Sequence, residues 1–300
     1  VPTGVWRFFP AVAALRGYSI DDLRFDFVAG LTVAAVAVPQ AMAYAMAAGI
    51  DPVYGLYSAI VVTFVGSMFD SSRQLINGPT NATSIAILSA TGGIAADDKL
   101  SAVILLGFLI GAIQLVITVL RLGDLTRYIS HSVIVGFTAG AALLLMLDQT
   151  KNLLGQKMVS DPHEHFLVRF WESLTAGGAV HGPTLAIGLG SIGLAVALRW
   201  LKNRQKWTLF PDFLVIVVGM AVVTGALGLD KAGVRVVGEI PANLPTFALP
   251  TFDLARMQEL STSAFAIALL GLLEALAMAK GIAARTGQRL DLNQQCLSEG

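Results

Sequence analysis

The sequence predicts an all-α protein that threads a membrane several times. Three observations carry this. Hydrophobic residues make up 55% of the chain and charged residues 13%, against ~25% charged in a soluble domain. The mean hydropathy is +0.71. The apolar residues fall in runs close to the ~20 that a helix needs to cross a bilayer. A single cysteine, Cys296, excludes an intrachain disulfide and a four-cysteine metal site. The zero net charge gives no sign of a nucleic-acid partner.

Residues Val1–Asp26 carry Arg7, Arg16, Asp21, Asp22, Arg24 and Asp26, too many charges for a signal peptide. Trp6, Phe8 and Phe9 suit a segment near the lipid headgroups. Residues 1–26 are therefore read as a cytosolic or interfacial segment, and 27–300 as the membrane domain. The first span is expected at Phe27–Ala47, with Pro39 and Gln40 near its middle, and the second at Pro52–Phe69.

The third element differs from the others. Ser71–Asn77 is polar or extended, Gly78-Pro79 makes a turn, and Thr80, Asn81, Thr83 and Ser84 open a helix. Pro79 is tolerated in a first turn, where its missing N–H has no partner to lose. The apolar part, about Ile85–Ala95, is too short to span. A half-length helix inside a membrane protein aims unpaired N–H groups and a positive dipole end at whatever lies before it. Such helix starts hold anions; the plainer alternative is a loop followed by a span with a polar start.

Further spans are expected at Leu100–Leu122, within Tyr128–Leu154, and at Pro183–Leu201, Leu209–Leu229 and Thr262–Ala283. Gly107 with Gly111, and Gly136 with Gly140, have the spacing that lets helices approach closely. The polar stretch Lys151–Gly182 contains His163, Glu164 and His165; with no third ligand placed by spacing, it is read as a solvated loop and no metal site is expected. Asp230–Ser261, with Pro241, Pro245 and Pro250, is expected to be extended. Asp291–Gly300 reads as the amphipathic start of a further element. With the N-terminus inside, the alternating spans place 13 of the 20 Lys and Arg residues on the inner side, in agreement with the positive-inside rule.

Glu274 is the acidic residue that falls well inside an apolar run. A carboxylate at the centre of a lipid-facing helix costs ~2.5–3.5 kcal/mol on insertion scales. Glu274 must therefore face a cavity, pair with a cation or take up a proton, which makes it the candidate ion-coupling residue. The alternative is a structural hydrogen bond to a neighbouring helix. Gln40-Ala-Met-Ala-Tyr-Ala resembles Glu274-Ala-Leu-Ala-Met-Ala, 234 residues further on. Seven spans separate them, and an odd number inverts one copy against the other, as in secondary transporters.

The blocks VPQAMAYAMAAGIDPVYGLYSA (Val38–Ala59), Ser71–Pro79, RLGDLTRYISHSVIVGFTAGAA (Arg121–Ala142) and LLEALAMAKGIA (Leu272–Ala283) resemble the sulfate permease and solute-carrier anion exchanger family. The likeness runs from about Phe25 to Gly300. It implies a 7+7 inverted-repeat transporter fold, with the second repeat beginning near residue 262. It implies an anion held between two facing half-helix starts. Gln40, Tyr44, Thr80, Asn81 and Ala82 would line that site, and Glu274 would match the family's cation-coupling acid. Where relatives usually read Gly-Pro-Val-Ala-Val, this chain reads Gly78-Pro79-Thr80-Asn81-Ala82, a more polar start. About eight segments are present; the facing half-helix and a STAS domain are not, so the 300 residues are expected to be part of a longer protein. Asn81-Ala82-Thr83 also fits a glycosylation sequon, a chance match at a buried helix start.

The expected function is secondary active transport of an oxyanion such as sulfate, of bicarbonate or of a dicarboxylate, driven by a proton or Na⁺, with no bound cofactor. An inner-membrane location, a cytosolic N-terminus and a homodimer formed mainly through the missing C-terminal region follow from the resemblance. The alternatives are an uncoupled exchanger or channel of the same fold and, further off, a nucleobase permease. An intramembrane enzyme is disfavoured: HExxH and GxSxG are absent, and His131, His163, His165 and His181 are not paired at helical spacing in one span.

Overall fold

The computed structural model describes residues 9–15, 17–121, 131–156, 168, 170–172, 175, 178–205, 210–236 and 250–300. Regular structure among these residues is helical. The helices are α1 Pro10–Leu15, α2 Ile20–Ala47, α3 Pro52–Phe69, α4 Asn81–Ala90, α5 Ala96–Val119, α6 His131–Leu154, α7 Gly182–Gln205, α8 Asp212–Ala226, α9 Leu254–Thr286 and α10 Leu292–Glu299. Five of them, α2, α3, α5, α7 and α9, are long and apolar enough to cross a membrane; α4 and α8 are shorter apolar helices. His163, Glu164, His165, Pro241 and Pro245 lie outside the described residues.

Local chemistry explains where the helices depart from the expected boundaries. α2 begins at Ile20 rather than Phe27, because Ser19 and Asp22 form a reciprocal cap. The Asp22 N–H donates to Ser19 Oγ at 3.1 Å, and the Ser19 N–H donates to Asp22 Oδ2 at 2.9 Å. Asp21 and Asp22 also suit the positive end of the helix. The last residues of the expected interfacial segment are thus the first turns of the first spanning helix.

α9 is likewise longer than the expected Thr262–Ala283, at 33 residues. Asp253 caps its start by accepting the Ala255 N–H at 3.1 Å. It stops at Gly287, whose φ of 71° is the left-handed conformation that glycine adopts without a Cβ penalty. Beyond Pro250 there is no proline to keep Leu254–Ser261 extended, so this part of the expected loop is helix. α4 covers Asn81–Ala90 rather than reaching Ala95.

The chain divides into two compact units. One comprises residues 1–17, 41–141 and 242–300. Its core joins α5 and α9 through Ala102, Leu105, Leu106, Leu260, Ala264 and Ile267, and Ala86, Ile87 and Ala90 of α4 pack against that cluster. A smaller cluster, Leu272, Leu276 and Cys296, holds α10 to α9. α3 lies close to the end of α2: a Cβ built on Gly55 would sit 2.1 Å from the Ala41 carbonyl oxygen, so only glycine permits this approach.

The other unit comprises residues 18–40 and 142–241. Within it α7 and α8 pack together, and Lys202 Nζ donates to Asp212 Oδ1 at 3.0 Å and to the Phe210 carbonyl at 2.9 Å.

Candidate functional site

The site is built where α3 ends and α4 begins. Residues 70–79 make no regular structure, so their backbone groups need other partners. α10 and the turn before it supply many of them. Gln295 Oε1 accepts the Ser72 N–H at 3.2 Å, and Gln294 Nε2 donates to the Phe69 carbonyl at 2.7 Å. Gln288 Nε2 donates to the Ser71 carbonyl at 2.9 Å. The Asp70 side chain is the hub. Its Oδ1 accepts from Ser298 Oγ at 2.5 Å, Gln295 Nε2 at 2.8 Å and Asn77 Nδ2 at 3.3 Å. The Asn77 carbonyl in turn accepts from Thr63 Oγ1 at 2.8 Å, which ties the segment back to α3.

Gly78 and Pro79 then deliver the chain to Thr80. Thr80 is the helix cap, extended at φ −119° and ψ 158°, and its Oγ1 accepts the Thr83 N–H at 3.3 Å. Pro79 therefore precedes the cap instead of occupying the first turn, as the sequence had suggested. The first amides of a helix lack carbonyl partners within it. The helix holds its position because Ala86, Ile87 and Ala90 are packed on the α5–α9 core.

A cavity of about 170 Å³ opens beside this helix start. Its polar lining comes from Asn77, Thr80 and Thr83, from Gln114 of α5, from Glu274 of α9 and from Glu299 of α10. Thr80 Oγ1 donates to Glu274 Oε2 at 3.1 Å, which joins the half-length helix directly to the mid-span carboxylate. Gln114 Nε2 is taken up by the Ala268 carbonyl at 3.2 Å. Asn77 is 6% exposed, and its Oδ1 has no hydrogen-bond partner. Among the described residues, no three histidine, cysteine or acidic side chains gather to hold a metal ion.

Of the residues expected at the site, Thr80 and Glu274 meet in this cavity. Asn81 is half-buried at the first helical position and Ala82, the next residue, is exposed; neither belongs to the cavity lining. Tyr44 is half-buried near the end of α2, in the same unit. Gln40 is exposed on α2 and belongs to the other unit. The expectation missed Asn77, Gln114 and Glu299. Gln114 and Glu299 come from elements distant in sequence. Glu299 falls in Asp291–Gly300, which the sequence marks as the amphipathic start of an element, but its place at the cavity follows only from the packing of α10, whose Gln295 and Cys296 are buried.

Comparison with known proteins agrees with this architecture. The sequence model of the sulfate permease family matches residues 23–300. The chain is 36% identical to sulfate transporter 4.1, chloroplastic, of Arabidopsis thaliana, over 97% of this chain and 43% of that protein. It is 31% identical to the sodium-independent sulfate anion transporter of Bos taurus, over 98% of this chain and 52% of that one. The chain thus spans about half the length of such relatives. Among solved structures, the transmembrane domain of the cyanobacterial bicarbonate transporter BicA superposes with a TM-score of 0.70 at 24% identity, covering 94% of this chain and 70% of that one. Murine Slc26a9, an anion transporter captured inward-facing, gives 0.75 at 22% identity over 98% of this chain and 52% of that one. These likenesses show the fold, that of transporter membrane domains, in accord with the expected 7+7 class. By its sequence match over nearly its whole length, the chain belongs to the sulfate permease family.

Proposed function

We propose that the intact protein is a secondary active transporter. It moves a small anion of the sulfate, bicarbonate or dicarboxylate class together with a proton or Na⁺. The anion binds at the start of α4, near Thr80, Asn81 and Ala82, with Gln40 and Tyr44 of α2 contributing. Glu274 carries the driving ion. One observation bears most of the weight: a half-length helix begins at a cavity and its capping hydroxyl is bonded to the mid-helix carboxylate, 3.1 Å away. An anion gains there from the positive end of the helix dipole. A carboxylate so placed opposes the anion until it is neutralised, which binds the two ions to each other thermodynamically. The protein acts by transport rather than catalysis, sits in the cell's inner membrane with its N-terminus in the cytosol, and works as a homodimer.

The test is uptake of radiolabelled sulfate, bicarbonate and succinate into proteoliposomes holding the intact protein, with pH and Na⁺ gradients imposed one at a time. Accumulation of one anion driven by one gradient is the expected result. Equilibration without accumulation would identify an uncoupled exchanger or channel of the same fold. Uptake of a nucleobase in place of all three anions would overturn the substrate class.

A further inference from the structure

We propose that the Thr80 hydroxyl is the switch through which the charge on Glu274 is felt at the start of α4, making Thr80 a positioning residue for coupling. This rests on the transport reading above, in which Glu274 takes the driving ion and the anion binds at the helix start.

The geometry allows Thr80 one choice. A hydroxyl has one proton to give and two lone pairs. Thr80 Oγ1 already accepts the Thr83 N–H at 3.3 Å. The Thr83 hydroxyl proton has its own acceptor, the Thr80 carbonyl, at 3.1 Å. The Thr80 proton is left with two oxygens in reach: Glu274 Oε2 at 3.1 Å and Thr83 Oγ1 at 2.9 Å. An ionised carboxylate is the stronger acceptor. With Glu274 charged, the proton therefore points toward α9, and an anion arriving at α4 meets the remaining lone pair of the Thr80 oxygen.

Loading Glu274 reverses this. A proton from solvent converts the carboxylate to an acid, whose O–H donates to a lone pair of Thr80 Oγ1. The Thr80 O–H then rotates to the α4 side, toward Thr83 Oγ1 at 2.9 Å, where an anion at the helix start takes it up as the stronger, charged acceptor. A Na⁺ ion on the carboxylate neutralises it and weakens its oxygens as acceptors, which frees the Thr80 proton without a donated hydrogen bond. No bond is made or broken except the O–H of the Glu274 acid, and that proton leaves with the transported anion.

The surroundings give the rotation a purpose. The charged group facing Glu274 across the cavity is Glu299 of α10. α4 offers Thr80 and Thr83, and α5 offers Gln114, whose amide is committed to Ala268. Among the described residues, no lysine, arginine or histidine lines the cavity. Neutralising Glu274 removes one negative charge without adding a positive one. A donor turned toward the anion supplies the attraction that charge removal alone does not.

The experiment measures binding of radiolabelled sulfate, or of whichever of bicarbonate and succinate the uptake assay selects, to the intact protein in proteoliposomes, with and without saturating driving ion. Wild type, Thr80→Val, Thr80→Ser and Glu274→Gln are compared. Wild type and Thr80→Ser should each tighten about tenfold when the ion is added. Thr80→Val keeps the shape without the hydroxyl, and its affinity should change less than twofold. If it does not yield folded protein, Thr80→Asn takes its place: it keeps a capping oxygen but has no rotating proton, and should also lose the dependence. Full ion dependence in Thr80→Val or Thr80→Asn, with dependence lost in Glu274→Gln, would overturn the switch and leave the coupling assignment standing. Dependence surviving in Glu274→Gln, or absent from wild type, would overturn the coupling reading and the switch with it.

Discussion

α9 and α7 are both long apolar helices, yet they carry their polar contacts in different places. In α9 the carboxylate of Glu274 stands well inside the helix and meets Thr80 across a cavity. At α7 the described polar contacts to other parts of the chain lie at the two ends, while Ser191 Oγ, inside it, donates to the helix's own Ile187 carbonyl at 2.8 Å. His181, just before the helix, bonds Thr184 Oγ1 at 2.7 Å and the Ala232 carbonyl at 2.9 Å. Lys202, in the last turn, bonds Asp212 and the Phe210 carbonyl. Polar groups at helix ends reach interfacial water and hold loops. A carboxylate far from either end cannot, so it persists only where something answers it. Under the proposed transport function, the placement of a polar group along a helix would separate a working group from an anchoring one.

The largest expected effect tests that separation at Glu274. Glutamine is nearly isosteric and permanently neutral, so Glu274→Gln mimics the ion-loaded state. Accumulation against a gradient should fall to none in proteoliposomes, while exchange at equal anion concentrations survives in part. Uptake that keeps its wild-type dependence on pH or Na⁺ would make Glu274 a structural residue, no different in kind from Lys202.

Next in size is the helix start. Asn81→Leu and Gln40→Leu should each weaken anion binding by roughly tenfold to a hundredfold with normal expression, since a hydrogen bond to a charged partner contributes ~1.5–3 kcal/mol. Equilibrium binding to the purified variants measures this. Unchanged affinity in both would move the anion away from α4. An effect of Asn81→Leu alone would limit the site to the unit that holds the cavity.

The helical class and the half-length helix were legible in the sequence because both follow from local rules: apolar run length, and a Gly78-Pro79 turn followed by polar residues that open a helix; that Thr80 caps the helix, with Pro79 before it, came from the structure. Glu274 was legible because a carboxylate in an apolar run is costly wherever it occurs. The pairing of Thr80 with Glu274 was not, since the two lie 194 residues apart and only packing brings them together. Nor was the clamp of α10 on residues 70–77. Gln295 and Ser298 look like ordinary polar surface until the fold buries Gln295 against Asp70. The start of α2 was misplaced because charge was read as a break in the helix, whereas the Ser19–Asp22 cap uses that charge to begin one.

That clamp gives the third expectation. Asp70 is 8% exposed, and its Oδ1 gathers three donors, one from nearby Asn77 and two from the distant α10. Asp70→Leu would take the acceptor from Gln295 Nε2, at ~1–3 kcal/mol if left unsatisfied, while Asn77 Nδ2 keeps Ser298 Oγ at 2.8 Å and Ser298 Oγ keeps the Gly66 carbonyl at 3.2 Å. A loss of roughly 1–3 kcal/mol is expected, measured by denaturant titration of the detergent-solubilised protein, with the first change at the segment leading into α4. Asp70→Asn keeps an acceptor oxygen and should recover much of the loss. Equal losses for leucine and asparagine would show that the negative charge, not the hydrogen bonds, holds the clamp.

The smallest effect is expected at the end of α7. Lys202 is bonded to Asp212 at 3.0 Å and to the Phe210 carbonyl at 2.9 Å, but its side chain keeps 27% of its exposure and that of Asp212 keeps 13%. An ion pair open to water gains modest Coulomb energy against the ordering of a long side chain, typically ~0–1 kcal/mol. Methionine retains the packing of the aliphatic stem. Lys202→Met should therefore lower stability by about 1 kcal/mol in the same titration and leave anion affinity and ion dependence at wild-type values. The contrast with Glu274→Gln is the point of the measurement, since both substitutions remove one charge from a long apolar helix. If Lys202→Met altered the ion dependence of binding, position along the helix would no longer distinguish an anchoring charge from a working one, and the end of α7 would have to be counted into the transport cycle.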